Sequence, residues 1–162
     1  MIFLFWIGNA LAGAPTAVET RRVEGVIGGE FVIQKEDGKG PSLYASDGSG
    51  VSFFCDSGTL VGYRRKSMEK YAELAAQMAE VTTPGASFNF DPAKRSFVGS
   101  QATGYCNMSG SVRDGKSFVT VVHNRECFGS AGCNTESVTL GLEGPQLTLL
   151  LEALRWGAAK EK

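Results

Sequence analysis

The stretch from Ser137 to Trp156, SVTLGLEGPQLTLLLEALRW, constrains the fold more than any other part of the chain. Val138, Leu140 and Leu142 alternate with Thr139, Gly141 and Glu143, which is the two-residue period of a strand with one face buried. A helix follows at once. Gly144 is placed as its N-cap, Pro145 suits the first helical position because its missing N–H would be unpaired there, and Gly157 is placed to stop it. Leu147, Leu150, Leu151 and Leu154 form one stripe at helical spacing, while Leu149, Ala153 and Trp156 take much of the remaining circumference. A helix this apolar all round is expected to meet another subunit or a partner protein through Leu147, Leu149, Leu150, Leu151, Leu154 and Trp156, because a bare patch of that size is a liability in a monomer.

The rest of the chain reads as short strands broken by turns. Thr20 to Ile27 and Glu30 to Lys35 flank Gly28-Gly29, a tight antiparallel turn. Ser42 to Ala45 and Val51 to Cys55 flank Asp47-Gly48-Ser49-Gly50, with Thr59 to Tyr63 extending the last strand. Ser67 then caps an expected helix with Met68, Tyr71, Ala72, Ala75, Met78 and Ala79 on one face, ending before Pro84-Gly85. Ser87 to Phe90, an Asp91-Pro92 turn and Ser96 to Gly99 come next. Gly104 to Val112 and Ser117 to His123 flank Arg113-Asp114-Gly115-Lys116, the clearest hairpin in the sequence. The expected class is α+β: a duplicated ββββα unit, with two antiparallel sheets and two helices.

Residues 20–162 are long enough for a single domain with a real core. Residues 1–19 read as a leader, because MIFLFWIGNALAGA has an apolar run too short to span a bilayer, followed by the small-x-small pattern Ala10-Leu11-Ala12. No basic residue precedes that run, so a presequence remnant and a signal segment are both open. The 16 basic and 17 acidic side chains nearly cancel, so any polyanion site must be local. Cys55, Cys106, Cys127 and Cys133 permit two disulfides in an oxidising compartment, with the pairing open.

Enzyme chemistry finds little support. His123 is the only histidine and lies in an apolar strand, TVVHN, and no nucleophile elbow, Walker loop or dinucleotide fingerprint is present. The spacing of His123, Cys127 and Cys133 lacks the paired C-x2-C knuckles of common zinc sites, so neither a metal nor a cofactor is expected. Binding is better supported, because basic residues cluster beside aromatic ones. Lys39, Arg64, Arg65, Lys94, Arg95 and Lys116 are the candidates for phosphate contacts, and Tyr44, Phe53 and Phe97 for stacking on bases.

The second half, from FNFDPAKRSFVG through VRDGKSFVTVVHN to the final strand and helix, resembles the Whirly family of single-strand-binding proteins. The shared features are Phe88 and Phe90 leading into Asp91-Pro92, the hairpin after Arg113, and the closing strand and helix. The kinetoplastid guide-RNA-binding proteins and the Pur repeats are similar in architecture. Where the family carries a Lys-Gly-Lys-Ala-Ala-Leu segment, this chain has Lys39-Gly40-Pro41-Ser42-Leu43. The resemblance implies a non-enzymatic protein that binds single-stranded RNA or DNA, oligomeric or part of a ribonucleoprotein, in a mitochondrion or other organelle. Two rival expectations stand beside it. One is a secreted or envelope β-rich domain, held by disulfides, that binds a protein or glycan, with Asn107-Met108-Ser109 as a glycosylation sequon. The other is a structural subunit of a larger complex that has lost nucleic-acid binding.

Overall fold

The computed structural model describes residues 17–55, 61–80, 87–90, 105–124 and 135–160. Strands β1 (Val18–Glu24), β2 (Glu30–Glu36), β3 (Gly40–Ser46) and β4 (Ser52–Phe54) precede helix α1 (Val61–Glu80). Strands β5 (Ser87–Phe90), β6 (Tyr105–Arg113), β7 (Lys116–Asn124) and β8 (Thr135–Leu142) precede helix α2 (Gly144–Ala158). Each set of four strands makes one antiparallel sheet in simple sequential order, β1 to β4 in sheet A and β5 to β8 in sheet B. The class is therefore α+β with two antiparallel sheets and two helices.

The strand period decides which side chains go inward. In sheet A, Val23, Phe31, Leu43, Ala45 and Phe53 are buried, and the register sets Val23 opposite Phe31, Phe31 opposite Ala45, and Ala45 opposite Phe53. In sheet B the same logic buries Met108, Val121 and Val138 in one row and Val119 and Leu140 in the next. The β6–β7 hairpin turns on Asp114 (φ 50°) and Gly115 (φ 72°). These are the two left-handed positions that a two-residue turn between right-twisted strands requires. The sheets meet where Val26 of the β1–β2 turn donates its N–H to the Gly141 carbonyl of β8 at 2.9 Å.

Helix α1 begins at Val61, not near Ser67, so Val61 to Tyr63 form its first turn rather than the end of a strand. Arg64, Arg65 and Lys66 are good helix formers, and they carry the helix back beyond the serine that looked like its cap. Met68, Tyr71, Ala72, Leu74, Ala75 and Met78 are buried, while Ala79 is exposed.

Helix α2 also departs from expectation at both ends. Its N-cap is Glu143, whose N–H donates to Gln146 Oε1 at 2.8 Å, and Gln146 Nε2 donates in turn to the Glu24 carbonyl at 2.9 Å. Gly157 does not stop the helix, which runs to Ala158. That glycine is buried, and a Cβ there would lie 2.9 Å from Ile33 Cγ2 and 3.5 Å from Met68 Cγ, so its role is close approach to β2 and α1. The expectation that Leu147, Leu150 and Leu154 of α2 meet a second chain is corrected as well. Leu147, Leu150 and Leu154 are buried in the chain's own core, Leu151 and Trp156 are half-buried against it, and only Leu149 is largely open, at 52%. Helix α2 lies against α1, against β1, β2 and β3 of sheet A, and against β7 and β8 of sheet B, so the covering surfaces are intramolecular.

Candidate functional site

Among the described residues, the candidate phosphate-contacting side chains fall into two separate groups, Lys39 with Arg64 and Arg65, and Lys116. Lys39 sits in the β2–β3 turn, its Nζ paired with Glu36 Oε1 at 2.6 Å and its carbonyl accepting from Arg64 Nη1 at 3.1 Å. Arg65 is half-buried on the same first turns of α1. Lys116 is exposed at the β6–β7 hairpin, two residues from Phe118, which pairs with Gly141 in the ladder. Since Gly141 receives Val26 at the opposite end of β2 from Lys39, the two groups are separated by that strand's length, about 20 Å for seven residues. Lys94, Arg95 and Phe97 lie outside the described residues.

Of the candidate stacking residues, Phe53 is corrected. It is 5% exposed and stacked on His123, with centroids 5.3 Å apart and planes 20° apart, so it is a core side chain with no face to offer a base. Phe54, its neighbour on the opposite side of the strand, is 46% exposed and lies 4.9 Å from the Tyr44 ring. Across the outer face of sheet A the register gives the row Arg22, Val32, Tyr44, Phe54. Arg22 is paired with Glu30 at 3.0 Å. Sequence reasoning missed Phe54 because two adjacent phenylalanines in a strand take opposite faces. The signal was available in buried Cys55 and in the alternation that sets Phe53 against Ala45.

The second constellation lies at the seam of the two halves, with its disulfide buried and His123 and Glu136 half-buried beside it. Cys55, just past β4, and Cys106, at the start of β6, form a disulfide across 51 residues, with Cα atoms 5.5 Å apart. Cys106 is 1% exposed, and its carbonyl accepts from the Tyr71 hydroxyl of α1 at 3.1 Å. His123 pairs with Cys106 across β6 and β7, and Glu136 pairs with His123 across β7 and β8. Its Nδ1 lies 3.7 Å from Glu136 Oε2. With the Cys106 sulfur bonded and buried, this row has no thiolate for nucleophilic chemistry. Cys127 and Cys133 lie outside the described residues.

The remaining polar groups shape loops and faces. In the β3–β4 loop Asp47 Oδ1 accepts from the N–H of Ser49 at 2.8 Å and of Val51 at 3.1 Å, and Oδ2 accepts from the Ser49 hydroxyl at 2.8 Å. The Ser49 backbone N–H, and then its hydroxyl, hold the Asp47 carboxyl below its ordinary value. The middle of the outer face of sheet B is neutral and polar, with Ser109, Thr120 and Thr139 in one row and the two threonine hydroxyls 2.8 Å apart, while its hairpin end carries Lys116 and Arg113, the latter 6.0 Å from the Phe118 ring. Two open grooves accompany these faces. One of about 380 Å³ lies between α1 and α2 over Ala72, Ala76 and Ala158; the other, of about 290 Å³, lies among Glu24, Gly28, Gly29 and Ser46. Among the described residues no helix is long and apolar enough to cross a membrane.

The described residues form a two-sheet α+β domain with exposed sheet faces and two open grooves. No protein-family model matches the chain, and no curated protein matches its sequence.

Proposed function

We propose that this chain is a non-enzymatic binding domain of an oxidising compartment that holds a protein or glycan partner on the outer faces of its sheets. The Cys55–Cys106 disulfide carries this reading, because a buried cross-link between the halves of a domain belongs where thiols are kept oxidised. The apolar leader and the Asn107 sequon, which lies on the outer side of β6, agree with export. The neutral hydroxyl row on sheet B suits an uncharged polar ligand better than a polyanion. The repeated order of four strands and a helix also supports an internal duplication of Whirly-like type.

Alkylating free thiols at the moment of lysis and then measuring intact mass tests the compartment. The expected result is protection of Cys55 and Cys106 until reductant is added. Full alkylation of both in freshly lysed producing cells would overturn the reading.

A second reading, single-stranded RNA or DNA bound across sheet A, is favoured by the row of Arg22, Tyr44 and Phe54 and by the contact of Arg64 with Lys39. Each stacked base would contribute about 1–3 kcal/mol there. Fluorescence titration with oligo-dT and oligo-U at low salt, where charge contacts are strongest, decides it: no binding removes this reading.

A further inference from the structure

Among the described residues, strand β1 is the outer strand of sheet A and pairs along its length only with β2. Near its C-terminal end the outward-facing groups are already used. The Glu24 carbonyl accepts from Gln146 of α2, and the Val26 N–H donates to Gly141 of β8, both at 2.9 Å. Gly25, between them, donates inward to the Gly29 carbonyl at 3.0 Å. Backbone groups alternate sides along a strand, so the even-numbered residues point outward. Val18, Thr20 and Arg22 therefore turn their N–H and C=O groups to an edge that no described strand covers. The side chains from Val18 to Arg22 are all exposed. Beneath them lies one flank of α2, where Trp156 carries the Arg21 guanidinium 4.9 Å from its ring and where Leu149, two turns away, is 52% exposed.

We propose that this edge pairs with the same edge of a second copy of the chain, antiparallel about a two-fold axis through Thr20. The charges of β1 choose the register. With Thr20 opposite Thr20 of the partner subunit, Glu19 stands opposite Arg21 of the partner subunit, and the symmetry repeats that pair on the other side of the axis. Slipping one pairing step either way sets Glu19 against its own copy, or Arg21 against its own copy, with like charges directly opposed. Val18, Thr20 and Arg22 form the hydrogen-bonded pairs in the favoured register, as their outward groups require. Glu19 also stands opposite Lys35 on β2, so in the dimer it lies between two cations. The inward-pointing charges that would repel an arbitrary strand thus become the selection rule for a self-match. The result is one continuous sheet with both helix layers on the same side, which brings the Leu149 and Trp156 flanks together across the seam.

Sedimentation equilibrium on the full chain tests this. The native protein is expected at twice the 17.2 kDa chain mass. Glu19→Arg alone and Arg21→Glu alone should each weaken association about tenfold or more, because each opposes like charges at both pairs. An equimolar mixture of the two variants should recover the dimer, since every pair then joins opposite charges again, and that recovery also shows that neither variant lost its fold. A native chain that stays monomeric up to about 100 μM would overturn the proposal. So would a dimer indifferent to both substitutions, or a mixture of natively folded variants that fails to associate.

Discussion

Removing the cross-link between the halves is the most informative perturbation of this fold. The Cys55–Cys106 bond closes a segment of 51 residues. A loop of that size loses about 14 cal/mol/K of denatured-state entropy when closed, which corresponds to about 4 kcal/mol at 25 °C. Replacing both cysteines by alanine also takes two buried sulfurs out of the core, at 8% and 1% exposure, and adds about 1–2 kcal/mol of lost burial. The double substitution Cys55→Ala, Cys106→Ala should therefore lower unfolding free energy by about 5–6 kcal/mol, much of the margin of an ordinary domain. Urea denaturation followed by circular dichroism, without reductant, measures it. Cys55→Ala alone also cuts the cross-link, and it should fall within about 1 kcal/mol of the double variant. A double variant that loses under about 1 kcal/mol would refute the reasoning, because the bond would then not be constraining the unfolded chain.

Three further outcomes test the packing. Leu150→Ala, at a fully buried position, should cost about 2–5 kcal/mol in the same assay, whereas Leu149→Ala, one residue away, should cost under about 1 kcal/mol; equal losses would place α2 differently. Gly157→Ala should destabilise by about 1–2 kcal/mol despite alanine's better helix propensity, because the added methyl meets Ile33 at 2.9 Å; a gain in melting temperature would contradict that contact. The Asp47 carboxyl should titrate below its ordinary 3.8 by NMR; its folded-state value is depressed, so the contribution to loop stability is present above that pH, is lost as acid takes the folded protein through its own midpoint, and is absent in Asp47→Asn.

The elements most legible in the sequence were those with local chemistry to announce them. Asp114-Gly115 marked the β6–β7 turn because few other residues accept two successive left-handed positions, and the alternation through Val138, Leu140 and Leu142 marked β8. The features that stayed hidden depend on contacts distant in the chain. Ser67 looked like a cap because serine's capping chemistry stands out more sharply than the helix propensity of Arg64, Arg65 and Lys66 before it, and Gly157 looked like a stop because the approach of Ile33, 124 positions earlier, is not written beside it. The disulfide partner of Cys55 cannot be read from the spacing of the cysteines, because Cys106 is brought to it only by the meeting of the two sheets. The candidate site was less legible than the fold. Basic and aromatic residues that sit close along the chain were divided between opposite faces and opposite ends of sheet A, as Phe53 and Phe54 show most directly.

The helices do not stay with the sheets they follow. Helix α2, which follows all eight strands in the chain, covers β1, β2 and β3, while α1 reaches forward from β3 to β5 and β6. A nascent chain emerging N-terminus first would thus hold sheet A half-bare until α2 had been made. Leu150 and Leu154 complete the early strands only after the last strand has left the ribosome, so a truncation before Gly144 should leave an N-terminal half that a holdase retains instead of a smaller folded protein.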